Sequence, residues 1–361
     1  MKPKSKKRIA ILYGGGRYFG GIEQYLVNLF EYIDKDDFEL ELLSLGQWPL
    51  TERLDEQGHS VVIFSAKRVN LKSVSLIGKY LKDNKFNLLV SQGTVANAYA
   101  RVVSLIYKIP NLVTTHSDQA GDYSNSITRT IYGLIEKITR FPTARYIAVS
   151  EYLKDKMIKS GLRKNKITVV YNGLEFARPN TRPHKRLIIG SVGRLHPVKG
   201  YDLLINAFAL LKNKRLRLKI AGAGDELNNL KKLAQDLKVA DRVEFVGFIK
   251  NINEFLNTID VYVQSSRSEG FGLSVIEAMS QSLPVVVTPA GSLSEIVSDN
   301  KTGYMSTDFE PDSIATAISK AVENYESSKK IGENARNFVI KNFELKQWIR
   351  NTEKVYKEAS R

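Results

Sequence analysis

The sequence predicts an α/β protein built from two doubly wound parallel-sheet domains, and three observations predict it. Short apolar strand patterns alternate with longer helical patterns along the whole chain, the signature of parallel strands joined by crossover helices. The alternation stops and restarts around 177–185, a stretch with two prolines and four basic residues and no hydrophobic periodicity. The chain has 361 residues, 43% of them hydrophobic, which is enough to bury two cores.

In the first half, apolar runs at 9–13, 40–44, 61–64, 88–90, 112–115, 146–149 and 167–171 read as strands. They are near-continuous rather than alternating, as strands covered on both faces must be. Helical spacing falls between them, for example at 23–32 and 95–107. The second half restarts with strands at 187–192, 216–221, 243–246, 261–264 and 284–287, with helices at 201–211 and 273–282. The expected division is therefore 1–178, 179–342 and a last helix within 343–361 anchored by Phe343, Trp348 and Tyr356. Ligands of such domains bind beyond the carboxyl ends of the strands, here expected in a cleft between the two.

Composition narrows the class. No apolar run approaches the roughly 20 residues needed to cross a bilayer. The basic stretch 2–8 is followed by an apolar run too short for a secretory signal, so a cytoplasmic protein is expected. The absence of cysteine rules out disulfides and thiolate metal sites.

The most informative segment runs from the strand at 261–264 into Ser265-Ser266-Arg267-Ser268-Glu269-Gly270-Phe271-Gly272-Leu273-Ser274-Val275-Ile276-Glu277. A strand-to-helix junction of this kind aims unpaired backbone N–H groups and the positive end of a helix dipole at one spot. Glycines on either side of Phe271 let a ligand approach the main chain. Two carboxylates, Glu269 and Glu277, bracket the junction. Amides suit a diphosphate and carboxylates suit hydroxyl-rich groups beside it, which together describe a nucleotide sugar.

The Glu-x7-Glu spacing with Gly-Phe-Gly inside it resembles the donor-site motif of retaining glycosyltransferase family 4. Gly193-Arg194-x4-Lys199-Gly200, after a strand, is similar to that family's second loop. Tyr13-Gly14-Gly15-Gly16, Gly20-Gly21-Ile22-Glu23, Thr115-His116 and Tyr171-Asn172-Gly173-Leu174-Glu175 resemble further family elements, in the family's order. The resemblance implies the GT-B fold, with the last helix returning to the first domain. It implies that Arg194 and Lys199 bind the donor diphosphate, that Glu277 binds the ribose, and that Phe271, Gly272 and Leu273 offer backbone N–H groups. Glu269 and His116 would hold the transferred sugar, while Gly15, Gly16, Gly20 and Gly21 would form a loop toward the donor phosphate. Ala221-Gly222-Ala223-Gly224-Asp225 and Gly247-Phe248 would belong to the nucleotide side, and Asp118 to acceptor binding. The sequence departs from many relatives at Ser91-Gln92-Gly93-Thr94, where they carry a histidine.

The resemblance further implies transfer with retention, with no cofactor and no metal. Asp34-Lys35-Asp36 has the form of a metal-binding Asp-x-Asp, but a solvated turn accounts for it. A UDP-sugar is the expected donor, with GDP and ADP left open, and a glycan or lipid-linked hydroxyl the expected acceptor, in cell-envelope polysaccharide, lipopolysaccharide or glycolipid synthesis.

The net charge of +16 is uneven. Between 67 and 113, Lys67, Arg68, Lys72, Lys79, Lys82, Lys85, Arg101 and Lys108 face one acid, Asp83. Residues 126–145 add Arg129, Lys137, Arg140 and Arg145 against Glu136. With leucine and isoleucine interspersed, such a face suits an anionic membrane surface, and a core stripe with a solvated basic back is the alternative. A nucleic-acid binder is the competing class for so basic a chain, but no helix-turn-helix, zinc-finger or RNA-module pattern is present, so no nucleic acid is expected. A nucleotide-sugar epimerase on the same fold is the remaining alternative.

Overall fold

The computed structural model describes residues 6–16, 19–64, 71–117, 142–177, 179 and 187–360. Asp118, Lys67, Arg68, most of the 126–145 pattern and all but 177 and 179 of the expected linker lie outside them. The chain divides into unit 1, Met1–Gly173 with Lys346–Arg361, and unit 2, Leu174–Leu345.

Unit 1 contains β1 (Lys7–Tyr13), β2 (Phe38–Ser44), β3 (Val61–Ile63), β4 (Leu88–Gln92), β5 (Asn111–Thr115), β6 (Arg145–Ala148) and β7 (Ile167–Val169). All are parallel, in the order β3-β2-β1-β4-β5-β6-β7. Ile9, Ala10, Ile11 and Leu12 are buried on both faces of the sheet, which is why β1 reads as an unbroken apolar run. Strand order reverses between β1 and β4, where Tyr13 pairs with Gln92.

Unit 2 contains β8 (Ile188–Val192), β9 (Arg217–Ala221), β10 (Val243–Gly247), β11 (Val261–Gln264), β12 (Val285–Val287) and β13 (Tyr304–Met305). The order is β10-β9-β8-β11-β12-β13, again all parallel, with the reversal between β8 and β11. Ligands of doubly wound sheets bind at this reversal, outside the strands' carboxyl ends. The loops after β8 and β11 are the ones that carry Arg194, Lys199 and Glu269.

The last helix, Leu345–Ala359, spans the division: most of it belongs to unit 1. There Trp348 packs on Tyr25 and Tyr356 on Phe38, and Lys357 pairs with Asp37 at 2.6 Å. Phe343, expected to anchor this helix, packs instead on Phe271 and Phe338 in unit 2. Asp34 accepts from the Asp36 backbone N–H at 2.9 Å, closing a local turn.

Helix Leu71–Asp83 resolves the basic face of the first half. Val74, Ile77 and Leu81 belong to the core of unit 1, whereas Leu71 and Leu76 stand 80% and 52% exposed beside exposed Lys72, Lys79 and Lys82. Arg101 does not belong to that face. It is buried on the inner side of helix Thr94–Tyr107, with its Nε 3.3 Å from the Thr143 hydroxyl.

Candidate active site

In unit 2, the loops leaving β8 and β11 are stitched together although about 70 residues separate them in sequence. Ser265 Oγ donates to the Gly200 carbonyl at 2.8 Å, and the Arg267 N–H donates to the Val198 carbonyl at 2.8 Å. The Arg267 guanidinium forks onto Asp202 at 2.7 and 2.6 Å and also reaches the Pro197 carbonyl. Gly200 sits at φ 64°, and a Cβ there would lie 2.0 Å from the Ser265 carbonyl oxygen. No side chain fits so close an approach, so the Lys199-Gly200 pair has a physical reason.

This stitching brings Lys199 to Glu269, with Nζ 2.8 Å from Oε2. The same oxygen accepts from Ser266 Oγ at 3.1 Å and from Gln264 Nε2 at 3.4 Å. The Gln264 side-chain Oε1 in turn accepts from the Tyr262 hydroxyl at 2.6 Å and from Ser274 Oγ at 3.2 Å. A polar chain therefore runs from the end of β11 through Glu269 to Lys199. Its charge-assisted members fix the carboxylate's orientation while Oε1 accepts none of these bonds. Sequence reasoning named Glu269 and Lys199 and missed Tyr262, Gln264 and Ser266. The available signal was a buried glutamine closing an otherwise apolar strand.

Arg194 is exposed on the β8 loop, and its guanidinium has no hydrogen bond or ion pair among the described residues. Gly222 packs its backbone against the Gly193 carbonyl, and the Leu195 N–H donates to Ala223 at 2.9 Å, so the glycine loop after β9 braces this one. Phe248, after β10, leaves 61% of its surface in solvent.

Helix Leu273–Ser280 begins at Gly272, whose φ of 86° is left-handed and whose Cβ would meet Leu293 at 2.7 Å. The Gly272, Leu273 and Ser274 N–H groups have no intrahelical partner by geometry, whereas the Val275 N–H already donates to the Gly272 carbonyl at 3.0 Å. Phe271 buries its ring against Phe343 (5.4 Å, edge-on). Glu277 lies in the second turn, half-buried and without an ion-pair partner among the described residues. Loss of water around its carboxyl pushes its pKa from 4.5 up to about 8.

In unit 1, the loop after β1 holds Gly14, Gly15 and Gly16, and the Trp48 indole lies directly against Gly15. Gly20 and Gly21 open helix Gly21–Tyr32. Glu23, expected only to begin that helix, is buried: it accepts from the Gly20 N–H at 2.8 Å and from the Tyr13 hydroxyl, tying both ends of the glycine loop together. His116 follows β5. Its Nε2 is 2.9 Å from Gln92 Oε1, and its ring meets Tyr25 edge-on at 4.6 Å. Desolvation lowers its pKa from 6.5 to about 3, so the imidazole is neutral at ordinary pH. Among the described residues, no group of three or more His, Cys, Asp or Glu side chains converges as a metal site would require.

Comparison with known proteins gives consistent likenesses. The profile described as Glycosyl transferases group 1 matches residues 174–338, and that described as Glycosyltransferase Family 4 matches residues 19–178. An uncharacterized glycosyltransferase of Methanocaldococcus jannaschii is 27% identical over 366 residues, covering 95% of this chain and 96% of its own. A capsular polysaccharide biosynthesis glycosyltransferase, CapM of Staphylococcus aureus, is 27% identical over 341 residues, covering 87% and 88%. In fold, the chain is similar to Anabaena HepE, solved in complex with UDP: TM-score 0.83 at 21% identity, covering 97% and 99%.

Proposed function

From the premise that this chain belongs to the group 1 and family 4 glycosyltransferases, we propose that it moves a sugar from a UDP-sugar to a hydroxyl of a glycan or lipid-linked acceptor. The observation that carries the donor assignment is the meeting of the β8 and β11 loops at the sheet reversal of unit 2. There, Lys199 and Glu269 pair within a fixed network, and Arg194 has no side-chain partner among the described residues. UDP in the HepE structure and a capsular-polysaccharide role among the relatives support the donor and pathway class.

Arg194, Lys199 and the first turn of helix Leu273–Ser280 hold the diphosphate and take up the charge that grows on it as the sugar bond breaks. Phe271, Gly272 and Leu273 contribute through their backbone. Glu277 receives the ribose hydroxyls, and Phe248 lies on the base side. Glu269 orients a hydroxyl of the transferred sugar, its charge balanced by Lys199. His116, neutral, hydrogen-bonds the same sugar, and the Gly15-Gly16 and Gly20-Gly21 loop approaches the donor phosphate. The acceptor oxygen attacks the face that the leaving group departs from, so configuration is retained, and the departing phosphate takes the acceptor's proton. Positive side chains and a helix end do the work of a metal, and no cofactor takes part.

Exposed Leu71 and Leu76 among Lys72, Lys79 and Lys82 favour an acceptor presented at an anionic membrane. Vesicles with and without phosphatidylglycerol test this by co-sedimentation, and equal partition into both would count against it.

Calorimetry with UDP, GDP and ADP, in magnesium and in EDTA, tests the donor reading. UDP binding that survives EDTA and weakens in Arg194→Ala is expected. Absence of binding by all three nucleotides would refute it.

A further inference from the structure

His116 is held from two sides by groups that no motif names. Gln92 closes β4, where backbone pairing with Tyr13 on β1 and Thr114 on β5 fixes it in the middle of the sheet, and only 1% of its surface is exposed. Its carbonyl oxygen lies 2.9 Å from His116 Nε2. The imidazole also makes a T-shaped contact with the Tyr25 ring, centroids 4.6 Å apart, and Tyr25 rests on Trp348 of the last helix at 4.7 Å. Tyr25 is buried in the core of unit 1, so packing confines its ring.

Resting on the transferase reading above, we propose that Gln92 and the Tyr25–Trp348 ring pair are positioning residues for His116. They hold its imidazole in the Nε2–H tautomer and one ring orientation, leaving Nδ1 as a fixed acceptor for a hydroxyl of the transferred sugar. A carbonyl oxygen accepts only, so the ring atom facing it must carry the proton. The neutral ring has one proton to place, and that choice makes Nδ1 the lone-pair atom. Turning the Gln92 carboxamide over would reverse the assignment, placing NH2 against Nε2 and the ring proton on Nδ1. The partner thus sets whether His116 accepts from the sugar or donates to it. Two packed rings beneath it remove the rotation that would blur the distinction.

The test is a two-bond 1H–15N correlation of the full chain labelled at histidine. The chain has four histidines, so loss of one pattern in His116→Asn identifies the signal. A protonated Nε2 and an unprotonated Nδ1 are expected. Gln92→Glu keeps an acceptor and should preserve the pattern. Gln92→Leu should average it and lower kcat by about tenfold, the worth of one misplaced hydrogen bond, with UDP affinity unchanged. Trp348→Leu, checked for folding by circular dichroism, should broaden the His116 signal with Gln92 intact. Protonated Nδ1 in the wild type, or an unaltered pattern in Gln92→Leu, would overturn the proposal. Failure of the wild type to bind UDP would instead overturn the transferase reading and leave the tautomer measurement standing.

Discussion

Replacing Glu277 by glutamine should stabilise the protein and weaken it as a binder. The carboxyl lies in the second turn of helix Leu273–Ser280 without a partner among the described residues, and desolvation raises its pKa from 4.5 to about 8. A raised folded-state value means that the stability this group allows is complete below 4.5 and is lost as pH rises through about 8. At 1.36 kcal/mol per pKa unit, the ionisable side chain costs up to about 3 kcal/mol at pH 7. Because the carboxyl is only half-buried, solvent screening cuts that to about 1–2 kcal/mol. Glu277→Gln removes the penalty, so its urea midpoint should exceed the wild type's by more at pH 8 than at pH 5. Both tryptophans, Trp48 and Trp348, lie in unit 1, so unfolding of unit 2 is followed by far-UV circular dichroism. The same variant should bind UDP at least tenfold more weakly, since a charge-assisted bond to the ribose is worth about 1.5–3 kcal/mol. UDP binding to the wild type at pH 7 should also release a proton, visible as buffer-dependent binding enthalpy. A variant less stable than wild type at pH 8, or one that binds UDP equally well, would refute the reasoning.

Further outcomes follow from the same geometry. Lys199→Met strands Glu269 without its ion-pair partner and should cut donor affinity by about 10- to 100-fold by calorimetry. In a cycle with Glu269→Gln, the two losses should fail to add. Gly200→Ala places a Cβ 2.0 Å from the Ser265 carbonyl at a left-handed φ, so it should cost more than about 2 kcal/mol by urea titration and separate the two loops. His116 is protonated only below about pH 3, so kcat/KM between pH 5 and 8 should show no step that His116→Asn removes.

Much of the fold was legible because buried parallel strands write themselves as apolar runs. The run at 9–13 lies within Lys7–Tyr13, and 261–264 coincides with Val261–Gln264. Tyr304–Met305 left no such trace, since two residues beside a glycine have no period to detect. The site was legible where glycines and charges stand at fixed spacings along one loop. It was not legible where the partners are distant in sequence. Gln92 and His116 meet across neighbouring strands, and Tyr25 and Trp348 across most of the chain. Chain spacing carries no signal for such contacts. Helix Leu71–Asp83 shows the limit of period alone: Val74, Ile77 and Leu81 face the core while Leu71 and Leu76 stand exposed, and a core stripe and a membrane-facing stripe have the same period.

Hydrogen–deuterium exchange of the full chain, with and without UDP, tests the central claim most directly. Slowed exchange in unit 2 at 193–200 and 265–277, the loops after β8 and β11 and the helix that follows, and beyond them only at the nucleotide-side segments 221–225 and 247–248, is the result predicted. Protection elsewhere in unit 2 with none in these segments, or no protection at saturating UDP, would contradict it.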